Sequence, residues 1–463
     1  MQWLLTAETE AANFSPMLLF PRRNQTALPT SSCWHFDSHQ ESDRGADRAT
    51  QVHAPLKGGA SVDAVVIGGG VSGLLAALRL LNGGASVIVL EAAIIGTGAS
   101  GRGSGVLMPA LANLTAGDMA SQSGARGQRW LIALRDSAAQ LVQLIEREKL
   151  DCRLVQGGAL LHARAGPNDQ GQPPLDDWNR LGAEVELANP TPEGQDADPT
   201  NYTQLIWRRG GKLDPLALSR SLAARIIAKG GRIHERTPVL GYGRAGLRWV
   251  TTTPKGRIDS RGLLVMANAY ADIWSRRIAT EAVRAVWTED CWHLSTTPRT
   301  DWIGTKLTSV RPWIVRTFSE KDRSGAISIR AEADGSIIVS GIRATHAKGA
   351  ISGAAEVLSS IFGKVSAETL SSSTRCVWRT RHARTASGLP FYCDVGPDGF
   401  AWMGGPAGDL CFSAHAAQQF ADAILGLSPS DLALSFSEPA AIRWKRVRSW
   451  IAWRGGNSVP YLP

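Results

Sequence analysis

The sequence predicts an α/β chain, α+β overall, in which a parallel sheet of nucleotide-binding type is joined to a separate antiparallel sheet. Three observations predict it. A β-branched run, Val65-Val66-Ile67, stops at glycine, and an apolar pattern of helical period starts at Val71. A second apolar strand, residues 86–90, ends in an acid, Glu91. Residues 280–370 read as antiparallel strands, among them residues 326–330 and 336–341 with Asp334-Gly335 between them, an Asp-Gly hairpin signal.

Gly68, Gly70 and Gly73 form G-x-G-x-x-G where the first strand meets the helix. The first glycine permits the tight turn, the second lets backbone approach a pyrophosphate, and the third lets helix pack on strand. The helix start, Val71, Ser72 and Gly73, then offers free N–H groups and the positive end of the helix dipole to phosphates. Glu91, followed by Ala92, lies roughly 20 positions on, where a carboxylate can accept hydrogen bonds from ribose hydroxyls. A dinucleotide site is expected; the bland alternative is an ordinary strand-turn-helix.

The segment Gly96-Thr97-Gly98-Ala99-Ser100-Gly101-Arg102-Gly103-Ser104-Gly105 is too rich in glycine and small hydroxyl residues to form a regular element. Such a loop can lay backbone N–H groups along a large polar ligand while Arg102 supplies positive charge, and a nicotinamide domain has no need of it. With these two motifs in this order, the chain resembles the FAD-dependent oxidoreductases of the D-amino-acid oxidase superfamily, which includes glycine, sarcosine and γ-glutamylputrescine oxidases. The resemblance implies a Rossmann-like FAD-binding domain with a discontinuous antiparallel-sheet substrate domain. It implies FAD as cofactor, with Ala99, Ser100, Gly101, Arg102, Ser104 and Gly105 along the pyrophosphate and flavin.

Composition agrees with a globular enzyme. The 463 residues are 43% hydrophobic and 20% charged, enough for two domains and a large core. No uncharged apolar run reaches the roughly 18 residues of a membrane-spanning helix. A net charge of +9 with a pI near 9.5 suits an anionic partner, RNA or a membrane surface, and equally a basic enzyme with an anionic cofactor. Six cysteines without a C-x-x-C pair argue for a reducing, cytoplasmic setting and against a zinc site or disulfide framework. No metal is expected.

In chain order, residues 1–60 lack a sustained period and read as an extension outside the fold, either disordered, or a targeting peptide that would make the protein organellar, or a mis-assigned start. Residues 61–150, 205–275 and 374–440 are assigned to the FAD-binding domain, residues 151–204 and 276–373 to the substrate domain. A helix is expected over about 126–150 from apolar residues three and four apart. Another starts at Asp214-Pro215, an N-cap followed by proline at the first helical position, and ends at Gly230. The strand at 232–239 implies, by the resemblance, that Val239 passes beside the adenine end. The strand at 261–270 ends at small residues, among them Ala267 and Asn268, which in relatives close over the dinucleotide; a plain polar turn is the alternative for Asn268.

For the substrate, Arg330 and, less strongly, Arg343 sit on the antiparallel strands, where a guanidinium can pair bidentately with a carboxylate. The competing reading is a surface arginine. Residues 378–390 resemble the family's Trp-x-Gly-x-Arg-x-x-Thr-x-Asp-x-x-Pro segment through Trp378, Thr385 and Pro390, but Thr380, His382 and Ser387 replace its glycine, arginine and aspartate. His382 is either a base near the substrate or a hydrogen-bonded loop group. Cys376 resembles the flavin-linking cysteine of sarcosine oxidases, with a buried unreactive thiol as the alternative and non-covalent FAD preferred. Gly405 and Gly408 match a glycine-rich turn below the flavin, followed by a helix over 413–425. The basic, Trp-rich tail, 441–463, suits RNA, an anionic membrane surface or packing on the nucleotide domain. The expected activity is oxidation of the C–N bond of an amine or amino acid to an imine, with O2 as acceptor giving H2O2. The alternatives are a flavin enzyme acting on modified tRNA and a flavin-binding protein without amine turnover.

Overall fold

The computed structural model describes residues 32–34, 53–108, 116–164, 178–179, 181–188, 202–270, 286–298, 311–317, 325–363, 365–385, 391–392, 399–404 and 410–427. In chain order these form β1 (Gly58–Ile67), α1 (Val71–Asn82), β2 (Val87–Leu90), β3 (Val106–Leu107), α2 (Ala116–Glu148), β4 (Val155–Gln156) and β5 (Ala159–Arg164). Then come β6 (Val185–Leu187), β7 (Tyr202–Trp207), β8 (Gly211–Lys212), α3 (Pro215–Ala228), β9 (Arg232–His234), β10 (Gly241–Ala245), β11 (Arg248–Thr253) and β12 (Gly256–Val265). The remainder is β13 (Val286–Thr296), β14 (Trp313–Thr317), β15 (Gly325–Ala331), β16 (Ile337–Ile342), α4 (Ala347–Phe362), α5 (Ala367–Ser373), β17 (Thr374–Thr385), β18 (Phe391–Tyr392), β19 (Phe400–Gly404) and α6 (Leu410–Ile424).

One sheet runs β10-β11-β12-β1-β2-β9, with β19 parallel to the end of β12 and β18 antiparallel to β19. Its centre, β12-β1-β2-β9, is parallel. A parallel sheet carries crossover helices on its faces, so its strands are buried on both sides. Accordingly Val65 and Val66 point to opposite faces and both are fully buried. One face packs with α1, α2, α3 and α6 in the main core, and the other with Val239 and Ile258. The Arg79–Asp422 ion pair, 2.7 Å long, ties α1 to α6.

The second sheet runs β17-β13-β16-β15-β14-β5-β7-β6 and is antiparallel except for the β14–β5 pair. The expected hairpin forms, with Ser328 opposite Ser340 and Arg330 opposite Ile338. Gly335 takes φ +84° and Asp334 Oδ1 accepts from the Ser336 N–H. One face of this sheet (Leu294, Ile329, Val339) is covered by α4, a helix the strand pattern of this region hides. A short third sheet, β3-β8-β4, lies where the glycine-rich loop leaves the parallel sheet.

The strands and buried segments differ from the sequence reading at several places. β17 and β7 belong to the antiparallel sheet, although 374–385 and 205–207 are assigned by sequence to the FAD-binding segments. Their alternating faces are set by cross-strand pairing that a linear reading does not contain. Residues 53–60, placed by sequence outside the fold, are part of it: Leu56 is buried, its N–H donates to Thr237 Oγ1, and β1 begins at Gly58. Residues 32–34 are buried as well. Finally, the strand expected at 232–239 ends at His234, because Glu235 and Thr237 turn to hold neighbouring loops.

Two stability tests follow. Asp214 Oδ1 accepts from the N–H groups of Leu216 and Ala217, both at 2.9 Å, and Pro215 occupies the first helical position. Asp214→Ala should therefore cost about 1 kcal/mol, read from the denaturant midpoint. His162 is buried, stacked on Trp313, and accepts from Gln204 Nε2; burial holds its pKa down to about 4. The unfolded chain then takes up the proton first, with a pKa near ~6.5. This contribution is complete above that value and declines as pH falls toward 4. His162→Gln should flatten the acid side of a urea-midpoint profile across that window.

Candidate functional site

The glycine turn is built by close approach. Gly68 has φ +110°, and a Cβ there would lie 2.8 Å from the Met266 carbonyl oxygen. A Cβ on Gly73 would lie 2.0 Å from the Gly68 carbonyl oxygen, far inside contact distance. Only glycine lets α1 settle this deeply onto the end of β1. Gly70 is the N-cap and has no side chain to offer, so Ser100 supplies the cap from the next loop, its Oγ accepting from the Val71 N–H at 3.0 Å. The N–H groups of Ser72 and Gly73 are thereby the donors this helix start presents to a ligand.

Glu91 closes the turn from the other side. Its Oε2 accepts from the Gly69 N–H at 2.7 Å and its Oε1 from Ala93 at 2.8 Å, with Ala92 N–H also bonding the carboxylate. Burial and the nearby Glu235 carboxylate push its pKa up. Sequence reasoning missed Glu235, which is 1% exposed and accepts from Ile95 N–H at 2.6 Å and His53 N–H at 2.7 Å. The signal was an acid directly after a buried strand, the same signal that marks Glu91. Val239 lies beside this turn in the apolar layer beneath β1 and β2, with Ala267 packed against that layer. Asn268 adopts φ +43° in the turn that follows Ala267.

The second loop touches both sheets. Ala99–Gly101 is a single 3-10 turn, and a Cβ on Gly101 would meet the Gly96 carbonyl oxygen at 2.2 Å. Gly105, at φ +66°, leaves no room for a Cβ against the Leu213 carbonyl oxygen at 2.1 Å. Arg102 is buried, and burial lowers its pKa. Its carbonyl accepts from Trp378 Nε1 on β17 at 2.9 Å.

The arginines expected at a substrate carboxylate are committed elsewhere. Arg330 is 3% exposed; Nη1 donates to the Ser104 and Leu213 carbonyls at 2.8 and 2.7 Å, and Nε donates to Glu332 at 2.5 Å. It braces the loop against β8 and β15. Arg343 is paired through Nε and Nη2 with Glu289. Lys212, which sequence reasoning missed, is buried beside Arg330, bonded to the Ala331 carbonyl and 3.2 Å from Glu332. Its pKa is lowered by burial.

The inner face of the antiparallel sheet, beside that loop, carries a polar row. His382 Nε2 lies 2.7 Å from Thr380 Oγ1, which lies 2.7 Å from His293 Nε2. The His293 ring stacks on Trp378 with centroids 5.3 Å apart and planes 9° off parallel. Burial, with His382 and Arg102 nearby, keeps His293 neutral well below its ordinary pKa. Among the described residues, His293 Nδ1, Ser295 Oγ and Ser340 Oγ are buried without hydrogen-bond partners. Buried orphan polar atoms are costly, about 1–3 kcal/mol each, and mark places where a ligand or water completes the bonding. Cys376, on the same strand as Trp378, is buried and its thiol pKa is raised by that burial. Gly405 and Gly408 lie outside the described residues, as does the tail at 441–463. No described helix is long and apolar enough to cross a membrane, and no cluster of three or more metal-ligating acidic, histidine or cysteine side chains occurs among the described residues.

Comparison with known proteins agrees with this architecture. The model of the DAO family, FAD dependent oxidoreductase, matches residues 63–422, and the chain belongs to that family. Gamma-glutamylputrescine oxidoreductase of Escherichia coli (strain K12) is 31% identical over 216 residues, covering 45% of this chain and 49% of that protein. The probable oxidoreductase OrdL of Haemophilus influenzae is 27% identical over 243 residues, 51% and 56% of the two chains. The chain thus spans about half the length of the curated relatives it matches. In fold it is similar to glycine oxidase from Geobacillus kaustophilus (TM-score 0.60, 15% identity, 81% of this chain and 98% of that one). It is likewise similar to L-proline dehydrogenase from P. horikoshii (TM-score 0.63, 18% identity, 85% and 99%).

The residues present fit the family's FAD. Helix-start N–H groups suit the pyrophosphate, the Glu91 carboxylate suits ribose hydroxyls, and buried Arg102 supplies a positive charge beside the glycine-rich loop. Gly73→Ala should push α1 off the Gly68 carbonyl. The purified variant is expected to carry little or no flavin absorbance beside that of the unaltered protein, and full flavin content would contradict this packing constraint.

Proposed function

We propose that the protein is an amine or amino-acid oxidase that converts the C–N bond of its substrate to an imine, with O2 as electron acceptor and H2O2 as product. The observation that carries this reading is the polar row in which half-buried His382 leads to buried Thr380, His293 and Ser340, on the sheet face that Trp378 bonds to the cofactor loop. Its unfilled bonds, at His293 Nδ1 and Ser340 Oγ, suit a small polar substrate rather than an apolar one. The relatives are named for reactions on γ-glutamylputrescine, glycine and proline, all nitrogen compounds with a C–H beside nitrogen.

In this reading the parallel sheet holds FAD and the antiparallel sheet holds the substrate. FAD, when held there, would supply the acceptor for a hydride equivalent from the carbon beside nitrogen. The protein's work is to hold that C–H in position, exclude water and favour the neutral amine. His293 can accept a hydrogen bond from an amine N–H at Nδ1, its atom without a partner among the described residues, while Thr380 links its other ring nitrogen to His382. Arg330 serves the loop rather than a substrate carboxylate, since Glu332 and two carbonyls already engage it. Cys376 is read as an unmodified thiol, since it packs in the apolar cluster with Trp34, Leu216, Ile338 and Trp378 and burial raises its pKa.

The test is anaerobic addition of amines and amino acids to the purified flavoprotein. Bleaching of the flavin band by one class, with recovery and peroxide release on admitting air, is the expected result. Bleaching without reoxidation by air would move the acceptor away from O2. A flavin that stays oxidised under the whole panel would overturn the activity and favour a flavin-binding protein without amine turnover. Acid precipitation should leave all flavin in the supernatant; flavin retained in the pellet would point to a bond at Cys376.

A further inference from the structure

Trp34 stands in the part of the chain that precedes the family match at residue 63, yet it is 3% exposed and its two neighbours, Ser32 and Cys33, are buried with it. Its indole packs with Cys33, Leu216, Ile338, Cys376 and Trp378 in a small apolar cluster between the cofactor loop and the antiparallel sheet. The Arg330 guanidinium lies over the same ring, 4.9 Å from its centroid. Trp34 Nε1 donates to the Gly103 carbonyl at 3.2 Å. That bond completes a series. The carbonyls of three successive residues, Arg102, Gly103 and Ser104, each accept from a side chain of a different element: Trp378 Nε1, Trp34 Nε1 and Arg330 Nη1.

In a trans peptide the carbonyl and the following N–H point in opposite directions. Each of these three bonds therefore also fixes the direction of the next N–H along the loop, at Gly103, Ser104 and Gly105. The same loop caps the helix start at the glycine turn through Ser100 and Val71, so the peptides that these bonds orient belong to the loop bordering that turn.

We propose that Trp34 is a positioning residue of the FAD site, a clasp supplied by the N-terminal extension that fixes the peptide orientation of the loop at Gly103. The inference rests on the family's cofactor and not on the amine-oxidase reading. It assigns a role to a stretch that lies outside the family match.

The test uses the full chain with Trp34→Phe, which keeps an aromatic ring in the cluster and over Arg330 but removes the N–H. Two readouts are taken. In the cofactor-free protein, amide hydrogen exchange across residues 99–107 should speed up while the melting temperature stays within about a degree of the unaltered chain. In FAD titrations followed by flavin fluorescence, the dissociation constant should rise roughly fivefold, the weight of one hydrogen bond. Trp34→Ala, which also removes the ring, should weaken FAD by more than tenfold; if it fails to fold, Trp34→Phe decides alone. Unchanged loop exchange and FAD affinity in Trp34→Phe would overturn the clasp and leave Trp34 as core packing. A cofactor-free melting temperature that fell in step with affinity would overturn it too, since a general loss of stability then accounts for both. Failure of every amine to bleach the flavin would sink the proposed activity while leaving the clasp standing.

Discussion

The approach of Gly73 to the Gly68 carbonyl is the constraint on which the rest of the site depends. With a Cβ position only 2.0 Å from that oxygen, no other residue lets α1 begin directly over the end of β1. Because the helix starts there, its first N–H is within reach of Ser100, and the loop that carries Ser100 is drawn against the turn. Glu91 then closes the opposite side by accepting from Gly69. One contact forbidden to side chains thus sets the relative position of two strands, a helix and a loop.

The loop is also where the two sheets meet. On the parallel side it caps α1; on the antiparallel side Trp378, Trp34 and Arg330 hold its carbonyls. Hydrogen bonds of this kind contribute about 1 kcal/mol each. Ordering a loop residue costs about 1–2 kcal/mol. The bonds alone therefore do not outweigh the entropy of the loop, and burial of the Trp34 and Trp378 indoles in the same cluster has to tip the balance. The polar groups gathered next to it behave differently. His293, Ser295 and Ser340 are buried with bonding capacity left over. That combination costs stability in the protein alone and is retained where a ligand completes it.

Much of the cofactor half was legible in the chain. The glycine spacing, Glu91, the small-residue loop, the Asp214 cap and the Asp334-Gly335 hairpin are local signals, each fixed by residues a few positions apart. The substrate half was not. Arg330 and Arg343 read as carboxylate clamps because a strand shows only that a side chain alternates faces; Glu332, Glu289 and the loop carbonyls that engage them arrive from other strands and loops. His382 was visible as a departure from the family pattern, but His293 and Thr380 were not. Their meeting depends on β13 pairing with β17 so that His293 faces Trp378 and Cys291 faces Thr380. Trp34 lay in a stretch without period, where sequence offers no hint of burial.

By itself the sequence determined a glycine-turn nucleotide fold, because close backbone approach and helix capping are decided by residue type at short range; its two motifs in order carried the resemblance to FAD-dependent oxidoreductases that the family match bears out. Only the tertiary structure decided that Arg330 and Arg343 act as braces, and that residues outside the family's boundaries belong to the core. The physical reason is that burial and hydrogen-bond satisfaction are properties of partners distant in sequence: Trp34 and Gly103 are 69 positions apart, Trp378 and Arg102 276.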